Sequence, residues 1–265
     1  MIGTSHRRIR ALVLQELYLT RHSVEIFFDT LFFPLMSVIL FGLIMHFFGQ
    51  VEQSTNAQYL LIGILLWQII SVSQYNITVS SLWSVWSHNL TNIFIAPISV
   101  KEYISAHIIA SFIRTFSIFI FLAGGTYLLF DFSILNIGIL NFIFAFINLS
   151  LFAWWLGYIL LGYIFRYGTR IQAIAWGAIF LFQPLTASFF PVSTLPGWLQ
   201  TVAYALPPTY VFESARKSIV TPGIYWNYVV IALAMNVAYS IFGLFIFKRL
   251  FRRSKETGQF ARNDL

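Results

Sequence analysis

Histidines and carboxylates are the side chains through which this chain could carry out acid–base or metal chemistry, and both are scarce. The 265 residues include nine aspartates and glutamates and no cysteine. No two carboxylates form an evident acid–base couple, the histidines show no metal-ligand spacing, and no G-x-x-x-x-G-K-[ST] phosphate loop is present. The five histidines are His6, His22, His46, His88 and His107. We therefore expect no catalytic residue, metal site or cofactor on this chain.

The composition is that of a membrane protein. Hydrophobic residues make up 58% of the chain and charged residues 9%, with a mean hydropathy of +0.78. A soluble domain could not bury so much apolar surface, so we expect an all-α membrane protein with a single transmembrane domain over residues 1–265. The net charge of +7 lies in the N-terminal arm, the short loops and the tail. The positive-inside rule explains that distribution better than nucleic-acid binding does.

Apolar runs long enough to cross a bilayer predict six transmembrane helices. The predicted spans are residues 30–51, 59–79, 103–130, 134–165, 171–188 and 225–247. Residues 3–23 gather apolar side chains on one side, which predicts an interfacial amphipathic helix. Residues 80–100 are predicted to form a loop with a short amphipathic helix, and 248–265 a basic tail. The distribution of lysine and arginine places this loop and both termini in the cytoplasm.

Two charged residues fall where lipid would disfavour them. Glu16 interrupts the apolar stripe of the helix over 3–23, and Arg114 lies about a third of the way into the third span. For Glu16, contact with a protein partner and snorkelling from an imperfect helix are the alternatives. For Arg114, they are snorkelling toward the head groups and an ion pair with a structural or gating role.

The second span has a polar side, made of Gln68, Ser71, Ser73, Gln74 and Asn76. Such residues face either other helices or a water-filled path, and both roles remain open. The candidates for a path or its gating are Arg114, Gln74, Gln183 and Trp154. Aromatic residues, 19% of the chain, indicate either an interfacial belt or rings that stack on sugars. In the fourth span, Ala153 and Gly157 would allow another helix to approach closely.

Residues 189–218 are nearly all apolar, yet prolines divide them into pieces too short to cross a bilayer. Irregular backbone survives at membrane depth only against protein or water. We therefore expect two short helices that enter the outer face of the membrane and return. An apolar loop on the lipid surface is the alternative. Within this stretch, Glu213 precedes Arg216 and Lys217 by three and four residues, a favourable helical pairing.

This stretch also carries a resemblance. The runs F-F-P-V-S-T-L-P-G-W-L-Q and A-L-P-P-T-Y-V-F-E-S-A-R, within 189–216, resemble the segment before the last span of type-2 ABC exporter permeases. The layout of nearly the whole chain is similar to theirs. The resemblance implies a transmembrane permease subunit in the bacterial cytoplasmic membrane, paired with a second copy or a close paralogue. It further implies a partner ATP-binding cassette ATPase, which binds ATP and magnesium and drives export.

The resemblance also assigns roles to residues. It implies that the ATPase docks on the segment from Asn89 to Ser99, which would otherwise be interpreted as a plain interfacial turn. The residues expected to contact the ATPase are Asn89, Leu90, Ile93, Phe94 and Pro97. The residues expected at an extracytoplasmic gate are Pro191, Pro196, Trp198, Pro207, Glu213 and Arg216.

The implied cargo is amphipathic, a lipid-linked polysaccharide or glycan ahead of a drug or lipid. Two other functions remain as alternatives. An ion-coupled secondary transporter would carry a buried carboxylate near the midplane or inverted repeats, and an integral membrane enzyme acting on lipids would carry a polar catalytic cluster at one interface. The sequence shows the expected features of neither alternative.

Overall fold

The computed structural model describes residues 2–51, 55–87, 93 and 95–257. Its helices are α1 (Ile2–His22), α2 (Val24–Phe27), α3 (Phe33–Val51), α4 (Thr55–Trp86), α5 (Val100–Phe130), α6 (Ile139–Tyr167), α7 (Gln172–Leu185), α8 (Gly197–Tyr204), α9 (Pro207–Val220) and α10 (Trp226–Glu256). A π-helical turn, Phe28–Phe32, joins α2 to α3. Within the described ranges there is no strand, and the prediction of an all-α membrane protein is confirmed.

Within those ranges, five helices are long and apolar enough to cross a membrane. They are Val24–Phe47, Gln58–Trp86, Val100–Phe130, Ile139–Tyr167 and Trp226–Glu256. The fifth predicted span corresponds to α7, which has 14 residues and is therefore about 21 Å long. It contains Pro184 and is followed by Ala187 in the left-handed region, at φ 50°. Since α7 is shorter than the roughly 20 residues of a typical span, the count of six spans stays a prediction.

Helices α4 and α6 form the centre of the bundle. α4 is the most buried of the span-length helices and packs against α3, α5, α6 and α7, while α6 also packs against α9 and α10. A Cβ added at Gly157 of α6 would lie 3.0 Å from Ile77 of α4. The predicted close approach at Gly157 is therefore confirmed.

Two helices extend beyond their predicted ends. α4 continues to Trp86 rather than stopping at 79, because Leu82 and Val85 stay buried and no proline or charge interrupts the run. α10 continues to Glu256 rather than stopping at 247, because Leu250 and Phe251 also pack in the interior. The first residues of the predicted loop 80–100 and of the predicted tail 248–265 are therefore helical.

Polar contacts hold α6 to its neighbours. The indole Nε1 of Trp154 donates a hydrogen bond to Oγ of Ser111 on α5, at 3.1 Å. On the other side, Nδ2 of Asn236 on α10 donates to the backbone oxygen of Asn148 at 3.0 Å and to its Oδ1 at 3.2 Å. Such contacts stabilise helix association where lipid provides no hydrophobic driving force.

The stretch over 189–218 contains the two short helices that the sequence predicts, α8 and α9. α9 begins at Pro207, where the missing amide hydrogen removes no intrahelical bond. Oγ1 of Thr209 donates to the carbonyl oxygen of Ala203 at 2.6 Å, and the hydroxyl of Tyr239 on α10 donates to that of Ala205 at 2.8 Å. These bonds fold α8 back on α9 as a hairpin and fasten it to α10.

Candidate functional site: a groove between three helices

A groove of about 600 Å³ lies between α3, α4 and α7. Its wall combines polar groups with aromatic rings. The polar residues are Asp29, Ser37, Gln68, Ser71, Gln74, Tyr75 and Gln183, and the rings include Phe33, Phe41, Trp67, Trp176 and Phe180. From Asp29 to Phe41 the groove follows thirteen residues of the α3 side, a rise of about 18 Å along a helix. It is long enough to hold an extended amphipathic molecule.

Of the four candidates for a path or its gating, Gln74 and Gln183 lie on this groove. Nε2 of Gln74 also donates hydrogen bonds to Oγ1 of Thr78 at 2.8 Å and to the carbonyl oxygen of Ala175 at 3.1 Å. Because Ala175 belongs to α7, Gln74 holds two walls of the groove together. The polar side of α4 therefore contributes to helix packing and to the groove wall at the same residue.

Arg114 does not line the groove, because it pairs with Glu16. Nη2 of Arg114 lies 3.0 Å from Oε2 of Glu16 and also donates to the backbone oxygen of Glu16, while Nη1 donates to Oδ1 of Asn76 at 3.4 Å. Both charged side chains are buried. A buried charge requires a partner, and these two charges provide it for each other, so neither residue snorkels.

A second contact joins α1 to the start of α5. Nη1 of Arg8 lies 3.7 Å from Oε1 of Glu102. Glu102 also forms a capping box with Ser99, whose backbone amide donates to Oε2 at 2.7 Å and whose Oγ accepts from the amide of Glu102 at 3.2 Å. α1 is therefore fastened to α5 at two levels, one of them directly after the segment 89–99.

A second glutamate–arginine pair, in which Arg216 is buried and Glu213 is half-buried, anchors α9 to the turn that follows α7. Nη2 of Arg216 lies 2.9 Å from Oε1 of Glu213 and donates to the carbonyl oxygen of Ala187 at 3.0 Å, and Nη1 donates to that of Ser188 at 3.3 Å. The same Oε1 accepts from the amide of Val192 at 3.0 Å. Burial lowers the pKa of Arg216, an effect that the adjacent carboxylate of Glu213 opposes.

The remaining residues predicted for a gate are divided between interior and surface. Pro207 is buried at the start of α9, and Pro191 is half-buried next to Val192. Pro196 and Trp198, by contrast, are exposed, Trp198 to 72%. The structure therefore brings Glu213 and Arg216 into one network and leaves Trp198 on the outer surface of the hairpin.

Sequence reasoning missed two polar contacts. The hydroxyl of Tyr75 donates to Oδ2 of Asp29 at 2.6 Å, on the groove wall. Nζ of Lys217 donates to the hydroxyl of Tyr228 at 2.6 Å rather than pairing with Glu213, and this hydrogen bond raises the pKa of Lys217. Each contact joins two separate elements, so spacing along one helix gives no signal for it.

With this geometry in place, a comparison with known families decides the class of protein. A model of the ABC-2 type transporter family matches residues 7–220, a range that includes the groove, both glutamate–arginine pairs and the α8–α9 hairpin. The chain belongs to the ABC-2 type transporter family. A comparison with curated proteins finds no match. As an ABC-2 permease, the chain is a multi-pass membrane subunit of an ABC transporter, in a family that is not itself catalytic and normally works with an ATP-binding cassette partner.

In this ABC-2 permease, most residues expected to contact an ATPase lie outside the described ranges, namely Asn89, Leu90 and Phe94. Ile93 is buried in a cluster that includes Val85 and Ile104. Pro97 is exposed, and Ile95 is 76% exposed. Ile93 therefore packs against the bundle, while Ile95 and Pro97 are accessible to a partner.

Proposed function

We propose that this ABC-2 permease moves an amphipathic molecule outward across the bacterial cytoplasmic membrane through the groove between α3, α4 and α7. The observation that carries the proposal is the lining of the groove, in which amides and hydroxyls stand beside aromatic rings. Polar residues within spans commonly mark a substrate path. A lipid-linked glycan offers hydroxyl groups for the polar part of the wall and an acyl chain for the apolar part, so we favour it over a drug or a simple lipid.

A second copy of the chain, or a close paralogue, would complete the path. Beside the groove, α7 exposes large apolar side chains, among them Trp176, Phe180 and Leu181. A partner permease that covered this face would enclose the groove between two subunits. This pairing would also support α7, which is short for a membrane span.

ATP and magnesium bind, in this proposal, to a separate ATPase subunit that contacts the segment from Asn89 to Ser99. α5 begins directly after that segment, and the capping box at Ser99 and Glu102 fixes its first turn. The ion pairs of α5 with α1 would then transmit a displacement of the segment to both helices. ATP binding shifts the inward- and outward-open populations only if the ATPase binds the two states with unequal affinity.

The α8–α9 hairpin would form the outer gate of the path, anchored by Glu213 and Arg216. This orientation follows from the positive-inside rule, which places both termini and the basic loops in the cytoplasm. The hairpin then faces outward with few basic residues.

Co-purification with the partner ATPase tests the coupling part of the proposal. Ile95→Ala should weaken capture of the ATPase, because Ile95 is exposed beside the predicted contact residues. The matched control is Leu128→Ala, a residue 83% exposed at the opposite end of α5, which should leave capture unchanged. Ile93→Ala is less decisive, since a cavity at a buried site destabilises the bundle itself. Equal loss of capture in both exposed variants would contradict the proposed docking site.

The rival that the structure favours most is an ion-coupled secondary transporter, because the carboxylate of Asp29 lines the groove. Transport in inside-out vesicles separates the two. The exporter should accumulate cargo only with the ATPase and ATP, and should continue to do so when ionophores collapse the ion gradients. Uptake by the permease alone, driven by an ion gradient, would overturn the proposal.

A further inference from the structure

Asp29 is the one charged residue among the described residues that line the groove. It lies in the π-helical turn Phe28–Phe32, a local geometry that often accompanies functional sites. Its carboxylate accepts a hydrogen bond from Tyr75, and an ionised carboxylate has acceptor sites for about four. No described lysine or arginine forms an ion pair with it, and the buried Arg114 is engaged with Glu16. Asp29 thus retains the capacity to bind a positively charged donor.

Aromatic rings adjoin this carboxylate. The ring of Tyr75 packs edge to face against Trp176, with centroids 5.5 Å apart, and both rings line the groove. Trp176 is 39% exposed, so part of its surface remains accessible. Aromatic faces attract cations, and sites for ammonium groups are commonly built from such rings. The carboxylate and the rings therefore favour the same chemical group, one that is positively charged and donates hydrogen bonds.

We propose that the Asp29 end of the groove recognises an amine or ammonium group on the amphipathic cargo, such as the amine of an amino sugar or of an amine-bearing head group. The inference rests on the proposed function of the groove as the cargo path. The amides of Gln68, Gln74 and Gln183 are neutral and serve hydroxyl groups elsewhere along the wall. A phosphate or carboxylate beside Asp29 would be repelled by a like charge, and the described residues of the wall include no cation to offset that repulsion. The groove therefore selects amines over anionic head groups by repulsion as well as by attraction.

Binding of three amphiphiles to the full-length permease in nanodiscs of zwitterionic lipid tests this inference. The probes are dodecylamine, dodecyl maltoside and dodecyl phosphate with brominated chains, which quench tryptophan fluorescence. The difference in quenching between the wild-type permease and Trp176→Phe measures binding in the groove. We expect the amine to bind about tenfold more tightly than the phosphate, with the maltoside between them. Asp29→Asn should reduce that preference to less than about threefold.

Two further variants control for folding and for general surface charge. Glu25→Gln removes an exposed carboxylate one turn before Asp29 and should leave the preference unchanged. Tyr75→Phe keeps the carboxylate of Asp29 and the aromatic ring, so it should retain the preference for the amine. This expectation can be tested even if Asp29→Asn folds poorly. The inference is overturned if binding is independent of head group, or if Glu25→Gln and Asp29→Asn behave alike. Failure of all three probes to bind would overturn the inference too. The proposed function has a separate test, because it would be contradicted by the absence of ATPase capture and of ATP-driven transport.

Discussion

The two glutamate–arginine pairs of this permease share their chemistry, but they differ in burial and in the sequence distance that they bridge: Glu16, Arg114 and Arg216 are buried, and Glu213 is half-buried. Glu16 and Arg114 belong to α1 and α5, are 98 residues apart in sequence, and approach to 3.0 Å. Glu213 and Arg216 are three residues apart on α9 and approach to 2.9 Å. The first pair joins two long helices directly. The second pair lies within one short helix and contacts the rest of the chain through backbone groups of the turn after α7.

This difference determines what each pair contributes. Removing one member of the Glu16–Arg114 pair leaves the other charge buried between helices, without an ion-pair partner and without solvation. Removing a member of the Glu213–Arg216 pair leaves α9 helical and loosens its anchor to one turn. We therefore infer that the first pair supports the assembly of the bundle, while the second pair sets the local stability of the hairpin.

The largest effect should follow from separating Glu16 and Arg114. Arg114→Leu and Glu16→Leu should each destabilise the permease by about 3–5 kcal/mol, because each leaves the other charge buried without a partner. The double variant should come close to wild-type stability, since two apolar residues can replace a buried ion pair at little cost. The free energy of unfolding, measured by denaturant titration in detergent micelles, checks both values. Additive losses in the double variant would show that the two charges act independently.

A smaller and more local effect is expected at the second pair. Arg216→Lys keeps the charge near Glu213 but cannot bond both carbonyl oxygens of the turn with a planar fork. Leaving buried acceptors unsatisfied should cost about 1–3 kcal/mol. Hydrogen exchange should then increase over residues 186–194 and remain unchanged in α1 and α5. The matched control is Lys217→Arg, a change at an exposed neighbouring residue on the same helix. Equal hydrogen exchange in the two variants would contradict the local anchoring role of the Glu213–Arg216 pair.

The same contrast explains how much of the molecule could be predicted. Apolar runs predict the long helices, and prolines predict the α8–α9 hairpin, because helix formation and its interruption depend on neighbouring residues. The Glu213–Arg216 pair was predictable for the same reason. Helix ends such as that of α4 at Trp86 could not be predicted, because burial of Leu82 and Val85 by other helices extends α4 beyond the local pattern.

Contacts between distant helices escaped prediction for a different reason. Glu16 and Arg114 were both recognised as charges out of place, yet nothing in a single sequence indicates that they meet. Likewise, Asp29 reads as a carboxylate near the end of a span, and its position on the groove wall depends on the packing of α3 against α4.

The smallest effect should come from the neutral contact between α6 and α10, which joins distant helices as the first pair does but without charge. Asn236→Leu removes the hydrogen bonds to Asn148 and should destabilise the permease by about 0.6 kcal/mol, and by no more than about 1.7 kcal/mol, since interhelical hydrogen bonds within membranes are individually weak. Asn227→Leu, at an exposed position near the start of α10, controls for added hydrophobicity in the same unfolding titration. A loss as large as that of Arg114→Leu would mean that sequence separation, rather than stranded charge, governs the cost of breaking a contact. A loss within the expected range would assign that cost to the charge.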